Sequence, residues 1–259
     1  MTPVPDAGTD PAGELATRQT NVPWGLGAAV GALVVAFGIY FLAGGITLYA
    51  FPQAFSGSRA TQEAFGIIDY QFLLLGTVVA ALVFVVIPTH SGPRALGFRF
   101  PGWRTLAIAA LSVIPILIAL GLLSQGFDKL FPNYHLQGNT QELLPGRGHV
   151  GLFEKAVILL WVSVEAPFVE ETLFRGIAFQ GIRRLGTRFA PYPLAVAFAA
   201  IVSGAAFGLA HAEPRSFPIL AALGVILAYV FQTGRSIYAS MVVHGTINAL
   251  ATLSVLSSM

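Results

Sequence analysis

Apolar runs of about membrane-spanning length alternate with short polar segments along most of the chain, and seven of them set its layout. Residues 24–51 form the first, ended by Phe51-Pro52 and a polar loop holding Ser56, Ser58, Arg59 and Glu63. Residues 67–87 form the second, closed by Pro88, with Asp69 and Tyr70 expected at the membrane interface. Residues 105–123 form the third, and Pro115 inside it predicts a kink that neighbouring helices can absorb. The stretch 124–148 has no clear period and predicts an extramembrane loop with interfacial pieces around Phe127, Leu130 and Phe131. The fourth run begins near Phe153, passes Trp161 and Pro167, and ends at Arg183 and Arg184. Pro167 predicts a bend there, because proline removes a backbone hydrogen bond and crowds the preceding turn. Residues 192–212, 217–231 and 237–256 complete the set, separated by the turns 213–216 and 232–235. The pattern predicts an all-α fold, a polytopic helical membrane bundle of about seven transmembrane helices.

Composition agrees with that layout. Only 10% of the 259 residues are charged, against roughly a quarter in soluble domains, and the mean hydropathy is +0.74. One membrane domain uses nearly all of the length and leaves no room for a second globular domain. A formal net charge of +2 is too small to argue for nucleic acid. The absence of cysteine excludes disulfides, iron–sulfur clusters and Cys-ligated zinc. The first twenty-odd residues are polar and lack the basic, apolar and cleavage regions of a signal peptide, so residues 1–23 are expected to form a disordered tail. No lipidation motif is expected either. The loop with Arg94, Arg99 and Arg104 carries no acid and predicts a cytoplasmic side. With residues 183–188 and Arg235 on that same side, the amino terminus is expected inside and the carboxyl terminus outside.

The fourth run contains the sequence Glu-Glu-Thr-Leu-Phe-Arg at residues 170–175. Glu170 lies roughly 22 Å along a continuous helix from Lys155 and roughly 21 Å from Arg184, which places these charges near mid-depth. An ionisable group there costs a few kcal/mol or more, so it faces a protein interior or a wet cavity and marks function. Glu171 and Arg175 are four residues apart on one face and predict an ion pair, whereas Glu170 is displaced by about 100° and is left to face a cavity, where it can accept a proton from water. His211 and His244 are the two histidines inside apolar runs; His90, His135 and His149 fall in predicted loops and read as surface residues. In His244-Gly-Thr-Ile-Asn248 the four-residue spacing aligns imidazole and amide on one helical face, a pair that can hold an oxyanion or serve as hydrogen-bonding glue between helices. Glu165, five residues before Glu170, reads as a helix-packing or cavity-lining residue. Buried polar groups in lipid must find partners, so a carboxylate, two imidazoles and an amide from three separate runs are expected to converge.

These residues, in this order, resemble the CPBP family of intramembrane proteases, which includes the CAAX prenyl endopeptidases and the bacteriocin-processing and self-immunity proteins. The family pattern Glu-Glu-x-x-x-Arg, Phe-x-x-x-His, His-x-x-x-Asn is met by Glu170, Glu171 and Arg175, by Phe207 and His211, and by His244 and Asn248. The flanks Ala166-Pro167-Phe168-Val169 and Phe174-Arg175-Gly176 also look like the family. The resemblance implies a catalytic membrane core at residues 150–255, preceded by variable transmembrane helices and a loop at 24–149. It implies an endopeptidase acting on a membrane-associated protein or peptide, lipidated or not, in the plasma membrane of a prokaryote. Glu170 with His211 would activate water, His244 and Asn248 would stabilise the tetrahedral oxyanion, and Glu171 with Arg175 would support the site. No cofactor is favoured. Zinc is the alternative, since one carboxylate and two histidines form a plausible set, but the His-Glu-x-x-His helix is missing and an amide is a poor zinc ligand.

Two further classes compete. A non-catalytic immunity or scaffold factor would keep the motifs for folding, and a proton carrier would use the acids and histidines as a relay. His211 comes near the end of its run, which opens the cavity away from the cytoplasm in the orientation above and toward it if that orientation is inverted.

Overall fold

A computed structural model describes residues 22–56, 59–132, 134 and 151–257. Most of the expected amino-terminal tail and much of the expected loop, with His135 and His149, lie outside the described residues. The described residues form seven long helical elements and no strand. We number them α1 (Leu26–Ala50), α2 (Arg59–Ala81, continued by Leu82–Val86 and Ile87–Thr89), α3 (Trp103–Leu130), α4 (residues 152–186), α5 (Tyr192–Ala210), α6 (Phe217–Gly234) and α7 (Ile237–Ser257). Six stretches, on every element except α4, are long and apolar enough to cross a membrane. The chain is an integral, multi-pass membrane protein.

Several helix ends move from their expected places. Helix α2 already begins at Arg59, inside the expected polar loop, and runs on past Pro88 to Thr89. Helix α3 passes through Pro115 without interruption and continues to Leu130, so Phe127 and Leu130 are helical and not loop pieces. Polar and amphipathic residues extend helices beyond an apolar core at little cost, because water satisfies their exposed side chains, and hydropathy alone does not register this.

Helix α4 is the axis of the molecule and touches α1, α2, α5, α6 and α7. Its residues 171–183 are all buried, as expected of a helix surrounded on every side. It is built in five pieces: Leu152–Leu160, a π-helical turn Trp161–Glu165, Ala166–Glu171, a second π-helical stretch Thr172–Phe179, and Gln180–Gly186. The irregularity expected at Pro167 takes the form of the first wide turn. The Ala166 N–H bonds to Trp161 O, five residues back, and the next partner in that register is position 167, where proline has no N–H. The same arrangement precedes Pro88: Ile87 N–H bonds to Leu82 O at the end of a π turn.

Close helix approach relies on glycine at two places. Gly204 of α5 faces Gly224 of α6, where an added Cβ would collide with the opposing backbone. Gly245 of α7 faces the Ser163 carbonyl of the wide turn in α4, and a Cβ there would overlap that oxygen.

Candidate active site

The two acids of α4 have separate environments. Glu171 and Arg175 are fully buried, and Glu171 Oε1 lies 3.0 Å from Arg175 Nη1. Arg175 Nη2 also donates to Gly224 O at 3.1 Å, and its guanidinium lies 4.5 Å from the centre of the Phe207 ring. The same Glu171 oxygen is 3.0 Å from His244 Nδ1. An ionised carboxylate only accepts, so His244 Nδ1 donates and Nε2 is the nitrogen turned to Glu170, 3.7 Å from its Oε2. Glu171 therefore serves α7 as well as its own helix, which the pairwise spacing on α4 could not reveal.

Glu170 is 16% exposed where Glu171 is at 0%, and it lines a cavity of about 630 Å³. Its Oε1 accepts a hydrogen bond from the Tyr70 hydroxyl at 3.3 Å, and its Oε2 has no hydrogen-bond partner among the described residues. His211, His244 and Asn248 line the same cavity. The polar groups of α4, α5 and α7 thus meet at one place.

Each of these side chains is fixed from behind. His211 caps the end of α5, and its Nδ1 sits 2.9 Å from Phe207 O. A carbonyl only accepts, so Nδ1 carries the proton, and Nε2 of the neutral ring is left as an acceptor. Asn248 Nδ2 donates to Val162 O at 2.8 Å. Val162 is the residue of the first wide turn whose partner in the π register would be Pro167, so the amide satisfies a carbonyl that the proline leaves open. Phe207 is fully buried and packs edge-on against His211, His244 and Phe174 with ring centres 4.9, 5.6 and 5.4 Å apart, while Arg175 lies over it. One aromatic residue thereby sets the spacing between both histidines and the arginine.

Two residues expected at the interface belong to the interior. Asp69 is buried and accepts from Thr47 Oγ1 at 2.7 Å, and Tyr70 reaches Glu170. The next residue, Gln71, donates to Glu165 Oε1 at 2.7 Å, which gives Glu165 a packing partner on α2. The signal in the sequence was three consecutive polar residues, Asp69-Tyr70-Gln71, in an apolar run. His90 is exposed at a helix end with φ 51°. No group of three or more His, Cys, Asp or Glu side chains among the described residues is gathered so as to hold a metal ion.

Fold and site together define a multi-pass helical membrane protein in which residues bearing carboxylate, imidazole and amide groups line one cavity between the helices. Residues 152–250 match the family described as "Type II CAAX prenyl endopeptidase Rce1-like", a match that supports membership of the CPBP family for that segment. No curated protein and no solved structure matches the chain.

Proposed function

We propose that the protein is an intramembrane endopeptidase in which Glu170 activates water. The observation that carries this reading is the Glu170 carboxylate itself: one oxygen accepts from Tyr70, the other is buried without a hydrogen-bond partner among the described residues, and the residue lines a cavity shared with His211, His244 and Asn248. Water between Glu170 and His211 loses a proton to this pair as its oxygen bonds to the peptide carbonyl carbon. The carbonyl oxygen becomes an oxyanion facing His244 Nε2, protonated on both nitrogens for this step, and the second N–H of Asn248, whose first is committed to Val162 O. Preorganised donors of this kind are each worth about 3–4 kcal/mol at the transition state. When the C–N bond breaks, the proton held by Glu170 and His211 passes to the leaving amine nitrogen, and the products are a carboxylic acid and an amine, the acid's proton then passing to the amine or to solvent. Glu171 and Arg175 act behind the site, Glu171 by holding His244 through Nδ1.

The shape of the cavity limits the substrate. Leu117, Leu120, Ile219, Leu220 and Leu223 line it beside the polar groups, which suits the backbone of a membrane-embedded peptide with apolar side chains. It collects late residues of α1, α3, α5 and α7 and early residues of α2, α4 and α6, so it lies toward the end of the bundle with the connections near residues 51–58, 131–151 and 211–216. Those connections and the adjoining helix ends carry five basic and five acidic residues. The opposite end has Arg94, Arg99, Arg104, Arg183, Arg184, Arg188 and Arg235 with no acid in its connections. The arginine-rich end is therefore the cytoplasmic one, and the site opens to the other face. Substrates are membrane proteins whose cleavage site is reached from the non-cytoplasmic side, which disfavours cytosolic prenylated chains.

Purified protein in proteoliposomes, with E170Q and H244A variants, tests the reading on an internally quenched farnesylated CAAX peptide and on unmodified membrane peptides. Cleavage by the parent and its loss in both variants is the expected result. Cleavage retained by E170Q removes Glu170 from the chemistry. Stoichiometric zinc in active protein, with activity lost on chelation, replaces the metal-free mechanism, and proton flux without cleavage favours the carrier.

A further inference from the structure

The matched segment ends at residue 152 on its amino-terminal side, yet one wall of the site comes from further upstream. Helix α2 presents three consecutive polar side chains to three different neighbours: Asp69 to Thr47 of α1, Tyr70 to Glu170 and Gln71 to Glu165. Tyr70 is the one that touches the proposed water-activating carboxylate. Its ring is held edge-on against Trp161 at 5.4 Å, on the wide turn that Asn248 also grips, so the hydroxyl is aimed by packing and not by chance of rotamer.

We infer that Tyr70 is a positioning residue of the reaction, donating to Glu170 Oε1 so that Oε2 is the oxygen turned toward His244 and the incoming water. This rests on the role proposed for Glu170. A carboxylate on a flexible side chain can rotate either oxygen toward a water. A donor fixed to one oxygen removes that freedom and leaves the second to act as base. The bond is long at 3.3 Å for an O–H donor, which places the loss on its removal near the lower end of the range for hydrogen bonds to charged groups, about tenfold in rate. It also means that α2, which lies upstream of the matched segment, contributes a group to the site through Tyr70.

The full-length protein with Tyr70→Phe tests this, because the substitution keeps the ring against Trp161 and removes only the hydroxyl. Infrared spectra of the parent and the Y70F variant, with the Glu170 carboxyl bands assigned by their absence in E170Q, read the contact without any substrate. The bands are expected to move in Y70F, and identical bands in parent and Y70F overturn the inference. On whichever of the quenched peptides the parent cleaves, the expected result is a kcat about tenfold lower with KM within about twofold of the parent, while Q71A, which removes a neighbouring contact of the same helix without touching Glu170, retains the parental kcat. Equal losses in Y70F and Q71A, accompanied by a lower Tm in both, would reduce Tyr70 to helix packing and overturn the inference. If the parent itself cleaves none of the peptides offered, the proteolytic reading fails on its own while the infrared comparison still decides the contact.

Discussion

Glu171 and Arg175 are fully buried, and each has more than one partner, so the cost of removing one depends on what remains. Arg175→Met strands a buried carboxylate and is expected to destabilise the protein by about 3–5 kcal/mol, measured by denaturant unfolding in detergent. Replacing both, with Glu171→Leu added, recovers much of that loss because the uncompensated charge goes with it, yet cleavage stays abolished because His244 has lost the acceptor for Nδ1. Recovery of activity in the double variant would show that Glu171 does not orient His244. The spacing of Glu171 and Arg175 made their pairing legible from sequence, since both lie on one helix. The bond from Glu171 to His244 was not, because it joins residues 73 positions apart and depends on how α7 packs on α4. Tyr70 was hidden for a related reason: its position early in an apolar run matches an interfacial anchor as well as an inward-facing donor.

At the scale of elements, the contact between α7 and α4 decides whether the site forms. Asn248 covers Val162 O, and Gly245 lets the two backbones approach at Ser163. Asn248→Ala leaves that carbonyl unpaired as well as removing the proposed oxyanion donor, so it is expected to lower stability by about 1–3 kcal/mol and to lower kcat as well. Gly245→Ala pushes α7 outward and is expected to reduce kcat without altering any polar group of the site. A G245A protein with parental kcat and Tm would contradict the close packing described here. The apolar runs announced seven elements and their order, because lipid-facing length is a property of each run alone. The two wide turns in α4 were not legible. Pro167 marked where the first would fall, but whether a proline bends a helix or widens a turn depends on the side chains available to cover the released carbonyls, and here Asn248 arrives from 86 residues away.

The molecule as a whole is a bundle wound around α4, with its cavity toward one end and most of its arginines at the other. The chain has no cysteine, so a single introduced thiol reports its own side unambiguously. Gln53→Cys, on the exposed turn at the cavity end, is expected to react with an impermeant maleimide in intact cells, and Ser91→Cys only after the membrane is opened. The reverse pattern would turn the cavity toward the cytoplasm and restore cytosolic chains as substrates. The central claim, that the Glu170 cavity hydrolyses membrane peptides, is tested most directly by profiling new protein termini in membranes from cells that express either the parent or E170Q at equal levels. The account predicts a set of cleaved membrane proteins present with the parent and missing with E170Q, cut at sites facing the non-cytoplasmic side. Identical termini in the two membranes would contradict it.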